Sequence, residues 1–265
     1  MVTWRLQTTM QVTGSNSNQY ILSIRFSADG FYFALSNPKV KEESDSSTPY
    51  IYKVDESLSF TANLKRAVDE LEWLSYKYKA VHIIITTPRF TIVPLDYFED
   101  EHAESIFYHN FPSIDNEVVE YNIIQKNDAV VLYGIDKVLL TMLYNLFPEA
   151  QVKVQATSLI EHLTSQNNHA SQLQMLCLMA KDNIILAAMD HHNLLLCNSF
   201  NCTQTSDRLY YILHCWKQLG MDQQNDELLL AKHLDETDEL KQELGRYISH
   251  ITPISPYFDL ETAIS

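Results

Sequence analysis

The sequence predicts an α/β protein made of two similar domains, and two observations lead to this prediction. Residues 173–200 contain three short apolar runs, LQMLCLMA, IILAAMD and LLLCNSF, which are separated by the turns KDN and HHN and followed by a helical pattern. The first half of the chain repeats this order of strand, strand, strand, helix, buried strand and helix. Duplication is the simplest explanation of the match, so we predict a β-β-β-α core present twice.

The first copy begins with a hairpin. Two aromatic and β-branched runs, YILSIRF and FYFALSN, flank the turn Ser27–Gly30. Such runs around a glycine-containing tight turn are typical of a β-hairpin. Residues 38–49, PKVKEESDSSTP, then predict a mobile surface loop, and YIYKVDES predicts a third strand. We expect this loop to be the chief difference between the two halves.

A crossover unit follows. Apolar residues at helical spacing predict a helix over residues 61–78, with Ser59 or Thr61 as its N-cap. AVHIIITT, residues 80–87, is apolar nearly throughout, which predicts a central strand covered on both faces. A possible edge strand at Thr3–Met10 precedes the whole unit.

The rest of the first half alternates strands and helices. FTIVPL predicts a short strand, residues 100–111 a helix, and EVVEYNII with DAVVLYGI a second hairpin. Asp136 is placed to cap a helix over residues 137–147, because a short acidic side chain accepts bonds from free amides there. QVKVQAT, residues 151–157, predicts one more strand, and LIEHLTSQ begins a helix.

The domain boundary is predicted in the polar stretch QNNHASQ, which gives a first domain at residues 1–168 and a second at 169–265. After the three opening strands, residues 205–220 predict a helix that ends at Gly220. A strand over residues 228–234, a helix over 236–248 and an extended HITPI follow. The remaining tail either docks on the first domain or engages a partner, and docking is favoured.

Composition excludes several function classes. The net charge of −15 repels phosphate backbones, and no basic patch compensates for it, so we expect no nucleic acid partner. No apolar run approaches the length of a membrane span, so we expect no membrane insertion and a cytoplasmic location. The four cysteines form no CxxC pair and are expected to be reduced and packed as small hydrophobic residues.

The layout of the whole chain carries a resemblance. A three-strand meander joined to parallel strands by crossover helices is the layout of ribonuclease-H-like domains, and two such domains in tandem form the actin-like ATPase fold. The chain resembles a bacterial family of uncharacterised proteins with this fold and, more distantly, the actin-like proteins of pilus assembly and type II secretion. Nearly all residues are covered by the resemblance, which contains no specific sequence motif.

The resemblance implies a pair of hairpin turns that would hold the phosphates of ATP and, through a carboxylate and water, magnesium. In this chain the first turn would contain Ser27, Asp29 and Gly30. The second would be residues 180–183 or, one strand later, residues 190–193 with Asp190. Neither alternative contains glycine, and the chain has only 5 glycines. A phosphate cradle needs several converging amides, which residues with side chains and negative φ rarely provide.

No other motif predicts chemistry. His191 and His192 beside Asp190 point in different directions and have no third metal ligand, so they are interpreted as turn residues. His102 and His109 are interpreted as surface residues of an acidic helix. The motifs of P-loop, dinucleotide-binding, esterase and zinc-protease sites are all missing from the sequence. We therefore expect neither a catalytic residue nor a metal site.

The sequence favours a non-catalytic actin-like interaction or scaffold protein that has lost its nucleotide-binding loops. It would bind another protein and need no cofactor. The alternative is an ATP-binding enzyme, either an ATPase or a sugar-kinase-like phosphotransferase, which would use ATP and magnesium in the cleft between the domains.

Overall fold

The structure, a computed structural model, describes residues 12–27, 29–39, 49–166, 172–191, 193–231 and 238–262. The strands, in chain order, are β1 (Ile21–Ser27), β2 (Gly30–Ser36), β3 (Tyr50–Tyr52), β4 (Ala80–Ile85), β5 (Phe90–Pro94), β6 (Glu117–Ile124), β7 (Ala129–Asp136), β8 (Gln151–Val154), β9 (Gln174–Met179), β10 (Asn183–Asp190), β11 (Asn193–Asn201), β12 (Glu227–Ala231) and β13 (His250–Ile254). The α-helices are α1 (Phe60–Glu70), α2 (Ala103–Asn110), α3 (Lys137–Leu146), α4 (Gln155–Gln166), α5 (Thr205–Gln218), α6 (Glu239–Leu244) and α7 (Phe258–Thr262).

Two five-stranded mixed sheets have the same strand order, which confirms the predicted duplication. The first sheet has the order β3-β2-β1-β4-β8, and the second has the order β11-β10-β9-β12-β13. In each sheet the first three strands form an antiparallel meander, and the other two run parallel to the first strand. β4 lies inside the first sheet, as its continuous apolar run predicts.

A third sheet is the main difference between the two halves. Three strands in the order β5-β7-β6, together with α2, are inserted between β4 and α3. The described part of the second half has no counterpart of them. The expectation that the halves differ chiefly by the loop at 38–49 is therefore wrong, because a strand pattern does not specify which sheet a hairpin joins. Residues 40–48 lie outside the described part, so the mobility of that loop stays a prediction.

α4 lies between the two main sheets, and α7 packs on α4 and the first sheet. α4 contacts β8 of the first sheet and β9, β10 and β11 of the second, while α7 contacts α4, β1 and β2. Successive residues of the second sheet face opposite ways, so Leu176 and Ile185 join the core shared with the first sheet. Their neighbours Cys177 and Ile184 pack in a separate core with α5 and α6.

α4 begins earlier than the sequence predicts. The alternation in QVKVQAT predicts a strand to Thr157, but β8 ends at Val154 and the helix starts at Gln155. Asn122 of β6 explains the change, because its Oδ1 accepts bonds from the Val154 amide at 2.9 Å and from the Thr157 hydroxyl at 3.0 Å. Such a contact across 35 positions leaves no local signal in the sequence.

Three other helix ends agree with the sequence-based predictions better than the start of α4 does. Ser59 is the N-cap of α1 and accepts a bond from the Ala62 amide at 3.2 Å, and Asp136 caps α3 in the same way at 2.7 Å from the Leu139 amide. Both predicted caps are confirmed. Gly220 has φ +66°, the left-handed conformation expected after α5. α1 ends at Glu70, before the predicted position 78, and a 3₁₀ turn replaces its last part.

Some predictions fall outside the described residues. They include the strand at Thr3–Met10 and the domain boundary between residues 168 and 169. Residues 232–237, which contain the end of the predicted strand 228–234 and the start of the predicted helix 236–248, also lie outside the described part. The two-domain division at 1–168 and 169–265 thus stays a prediction.

Candidate functional site

The first predicted phosphate turn is a tight hairpin held against its own sheet. Ser27 pairs with Gly30 in the register of β1 and β2, so two residues form the turn, of which residue 28 lies outside the described part. Gly30 is buried, and a Cβ atom there would lie 3.1 Å from the Tyr52 carbonyl oxygen. The close approach of β3 is therefore sufficient to explain this glycine.

Asp29, the carboxylate of this turn, contacts a neighbouring tyrosine. Its Oδ2 accepts a bond from the Tyr32 hydroxyl at 3.0 Å. Burial, and then the negative charge of Asp29, raise the pKa of Tyr32 to about 12, so the hydroxyl remains a donor at neutral pH. The contact holds the Tyr32 ring in a fixed place, which matters for the cluster described below.

The second candidate turn, residues 180–183, is bonded to the body of the second domain. Arg208 of α5 donates from Nη2 to the carbonyl oxygens of Ala180 and Lys181, at 3.1 and 2.9 Å. The Ala180 amide donates to the Asn183 carbonyl oxygen at 3.0 Å, and the Asp182 carbonyl oxygen accepts from Cys202. The carbonyl oxygens of this turn therefore point at the Arg208 guanidinium, and the Ala180 amide is bonded within the turn.

Of the two candidates for the second phosphate turn, residues 180–183 lie on the same side of the molecule as the first turn. Lys181 Nζ is 3.7 Å from the Glu56 carboxylate, which follows β3, the strand in contact with Gly30. Asp190 lies at the other end of β10, about 25 Å away for an eight-residue strand. The structure thus keeps Asp190 apart from Ser27, Asp29 and Gly30.

The turn at Asp190 has a structural explanation of its own. Asp190 pairs with Asn193 at the end of the β10–β11 hairpin, and His191 adopts a positive φ of 52°. Asp190 Oδ1 is 3.7 Å from His191 Nε2, and both side chains are largely exposed. Within the residues that the structure describes, no group of three or more His, Cys, Asp or Glu side chains could hold a metal ion.

A polar cluster occupies the carboxyl ends of β1 and β8. Arg25 Nη1 of β1 is 3.0 Å from Asp259 Oδ1 of α7, and the two side chains are only 8% and 0% exposed. Gln155, the first residue of α4, donates from Nε2 to the other oxygen of the same carboxylate at 2.8 Å. Open α/β sheets bind their ligands just outside the carboxyl ends of the strands. Here a carboxylate of the chain itself occupies that place.

The same cluster holds the segment that follows β13. The Arg25 guanidinium lies 4.4 Å from the centroid of the Tyr32 ring and 5.3 Å from that of Tyr257, and it donates to the Pro256 carbonyl oxygen at 2.8 Å. Phe258 packs against His162 of α4, with ring centroids 4.6 Å apart. Of the two alternatives for the tail, its described residues show docking, because α7 packs on α4 and on β1 and β2 of the first sheet.

Carboxylates lie in or near the two candidate turns. Asp29 is in the first turn, Asp182 is in the second, and Glu56, which follows β3, is 3.7 Å from Lys181 Nζ. Negative charges at these turns repel a polyanionic ligand.

The sequence patterns do not identify Arg25, Gln155 or Asp259 as site residues. Arg25 is a lone charge inside the apolar run YILSIRF, and a charge in a buried strand requires a partner. That signal identifies Arg25 as unusual but gives no indication of where its partner lies. The partner is 234 positions away, in a tail without regular periodicity.

Other predicted surface and core residues lie where their chemistry suggests. His102 is exposed and contacts Glu99 at 3.0 Å, within one helical turn. The four cysteines are free, and Cys177, Cys202 and Cys215 pack in the core of the second domain. No helix in the described ranges is both long and apolar enough to cross a membrane.

Comparison with solved structures confirms the actin-like ATPase fold. A Bacteroides thetaiotaomicron protein with actin-like ATPase fold and unknown function is 41% identical over 96% of this chain and 98% of its own, with a TM-score of 0.86. The structure of a PilM–PilN type IV pilus biogenesis complex matches at 10% identity and a TM-score of 0.59, over 90% of this chain and 89% of that chain.

An inorganic polyphosphate/ATP-glucomannokinase from Arthrobacter sp. strain KM matches at 8% identity and a TM-score of 0.52, over 93% of this chain and 97% of that chain. At such identities the likeness shows the fold alone. A comparison with curated proteins finds no match. A family model, described as Protein of unknown function (DUF3822), matches residues 9–251. The chain therefore belongs to the DUF3822 family.

Proposed function

We propose that this protein is a non-catalytic member of the actin-like fold that binds a segment of another protein. One observation carries the proposal: the ligand edge of the first sheet holds a peptide segment of the chain itself. Arg25 and Gln155 both bind Asp259 there, and Phe258 and Leu260 beside it are 2% and 1% exposed. A crevice that already accommodates a peptide is suited to a peptide ligand.

The two opposed turns support the non-catalytic part of the proposal. Gly30 packs against Tyr52, Asp29 holds Tyr32, and Arg208 engages the carbonyl oxygens of the second turn. Each of these groups has a partner within the protein. A phosphate-binding turn needs amides that converge on an open space, and the acidic surroundings oppose a bound nucleotide further.

The fold is compatible with a protein partner. The structure matched at a TM-score of 0.59 is that of PilM in complex with PilN. At 10% identity this relation says nothing about which partner the present chain binds. It supports only the general idea that this fold can serve association with a protein.

A thermal-shift titration with ATP and magnesium tests the proposal against the ATP-binding alternative. A ligand at about a hundred times its dissociation constant adds about 2.7 kcal/mol to the free energy of unfolding. We expect no saturable shift of the melting temperature up to millimolar nucleotide. A saturable shift that Asp29→Ala abolishes would overturn the non-catalytic assignment, with Asp96→Ala, an exposed carboxylate elsewhere, as the matched control.

The proposal that this protein binds another protein needs a separate experiment. The full chain, immobilised, should retain one protein from a lysate of cells that naturally produce it, and the purified pair should form a complex of defined stoichiometry in sedimentation. Failure to obtain any such complex would contradict the interaction role and leave the ATP result unaffected.

A further inference from the structure

Among the described residues, the segment that follows β13, residues 255–262, supplies the hydrogen-bond acceptors of the Arg25 side chain. The guanidinium Nη1 donates to the Pro256 carbonyl oxygen at 2.8 Å and to the two Asp259 carboxylate oxygens at 3.0 and 3.2 Å. Where the structure describes them, β1 and its neighbouring strands supply no acceptor to this side chain. If the segment left, the guanidinium would lose these three bonds and keep the face of Tyr32 beside it.

The groups that receive the segment are fixed independently of it. Tyr32 is held by its bond to Asp29, on the β1–β2 hairpin. Gln155 is the first residue of α4, a helix buried along most of its length. Arg25 lies on β1 and Tyr32 on β2, both in the first sheet. The receptor formed by these three side chains is therefore carried by elements that do not include the segment.

The segment itself has a simple chemistry. Phe258, Asp259 and Leu260 are consecutive and nearly fully buried, so an aromatic, an acidic and an aliphatic side chain enter the protein together. Phe258 lies against His162 of α4. None of the three belongs to a strand of the three sheets. The segment could therefore leave without breaking a strand pair.

We propose that this crevice is an exchangeable peptide-binding site, which holds residues 255–262 in the isolated protein and a segment of a partner protein in the complex. This inference rests on the proposed function and specifies its partner. The partner segment would contain an aromatic residue, Asp or Glu, and an aliphatic residue in succession.

The requirement for a carboxylate follows from Arg25. A buried guanidinium without an acceptor is costly, so a segment that lacks an anion cannot replace the one that leaves. A carboxylate accepts from Arg25 Nη1 with both oxygens and from Gln155 Nε2 with one of them, and the faces of Tyr32 and Tyr257 stabilise the cation. Apolar residues on either side of the carboxylate would fill the places of Phe258 and Leu260.

A labelled peptide tests the exchange. The probe is fluorescein-SPYFDLET, the sequence of residues 255–262, and the receptor is the full chain with Phe258→Ala and Asp259→Ala, which empties the site. In fluorescence anisotropy we expect saturable binding at least about tenfold tighter than to the wild-type chain, because the tethered segment competes at an effective concentration of about millimolar. Adding Arg25→Gln to the double variant should abolish binding.

Two matched controls make the result specific. The peptide SPYFNLET differs only in having an amide in place of the carboxylate and should bind at least about tenfold more weakly. The chain with Asp96→Ala and Tyr97→Ala loses the same kinds of side chain at an exposed position, where Tyr97 is 79% exposed, and should behave like wild type. Equal binding of both peptides, or no binding to a folded double variant, would overturn the proposal.

Hydrogen exchange of the wild-type chain decides the case if the double variant does not fold. We expect the amides of residues 258–260 to exchange at least about tenfold faster than those of α4, because the segment opens by itself. Equal rates would mean that it leaves only on global unfolding, which contradicts exchange. These outcomes are independent of the ATP titration: failure of peptide binding removes this inference alone, whereas saturable ATP binding removes the proposed function.

Discussion

Arg25 and Asp259 are 234 positions apart in the chain, yet their side chains form a buried ion pair at 3.0 Å. The pair connects β1, the first strand of the first sheet, with α7, which follows the last strand of the second. It therefore fixes the position of the tail relative to the first domain.

Removing one member of this pair should lower the free energy of unfolding more than replacing both members does. Arg25→Met removes the positive charge beside the buried Asp259 carboxylate and leaves it the neutral donors Gln155 Nε2 and the Leu260 amide, so we expect the free energy of unfolding to fall by about 3 kcal/mol. Arg25→Met with Asp259→Leu should recover most of the loss. Urea denaturation of the two single variants and the double variant measures the coupling.

The exposed pair of Arg66 and Glu70 is the matched control for that cycle. Their side chains are 54% and 48% exposed, and Arg66 Nε is 2.7 Å from Glu70 Oε1. Exposed pairs one helical turn apart couple only weakly, because water and salt screen their charges. A coupling between Arg25 and Asp259 no larger than that of this exposed pair would contradict the structural role of the buried pair.

Asn122 should be critical for attaching the inserted sheet. Its side chain donates to the Val152 carbonyl oxygen at 3.0 Å and accepts from the Val154 amide and the Thr157 hydroxyl, so it joins β6 to β8 and α4. Asn122→Ala leaves these groups unsatisfied, which costs about 1–3 kcal/mol for a buried group. Urea denaturation should show a loss of about 2 kcal/mol or more. Asn110→Ala, at an exposed helix end, should change stability by less than about 0.5 kcal/mol.

Gly134 should not tolerate a side chain. A Cβ atom there would collide with the carboxylate of Glu117 and lie 3.0 Å from Phe107. Glu117 cannot move away easily, because Arg89 donates to both of its oxygens at 2.8 Å. Gly134→Ala should lower the free energy of unfolding by about 1–3 kcal/mol. Gly14→Ala, whose new atom would be 3.9 Å from Tyr76, is the control and should be nearly neutral when measured in the same way.

Two histidines should make the protein less stable in mild acid. Burial lowers the pKa of His162, although the nearby Asp259 raises it, and burial followed by the charge of Lys153 lowers the pKa of His82. The unfolded chain, with an ordinary histidine pKa of about 6.5, takes up protons first as the pH falls. Stability is thus fully present above about pH 6.5 and declines below it.

Urea denaturation at about pH 7.5, 6.5 and 5.5 measures this decline, in a range chosen to lie above the titration of ordinary carboxylates. His162→Gln should flatten the dependence, whereas His109→Gln, at an exposed position, should leave it unchanged. A steeper fall in the His162→Gln chain would contradict the assignment.

Much of the fold could be predicted because its signals are local. Each meander strand is an apolar or alternating run bounded by turn residues, and Ser59, Asp136 and Gly220 mark helix ends through their own backbone and side-chain chemistry. The repeat of strand order in the two halves then indicated the duplication. Such features depend on neighbours within a few positions, so they can be predicted from short stretches of sequence.

The candidate site could not be predicted in the same way. The sequence indicates Ser27, Asp29 and Gly30 as the first turn and leaves Asp190 as one of two candidates for the second. Only the strand directions show that Asp190 lies at the far end of its sheet. The start of α4 depends on Asn122, which is distant in sequence. No local pattern encodes such contacts.

By itself, then, the sequence determined a duplicated α/β architecture, its acidic character and two turns without the glycines of a phosphate cradle. The tertiary structure alone decided that β5, β6 and β7 form a separate sheet and that Asp259 occupies the crevice at Arg25. The physical reason is that periodicity reports which residues are buried, whereas the partner of a buried charge is chosen by packing between segments far apart in the chain.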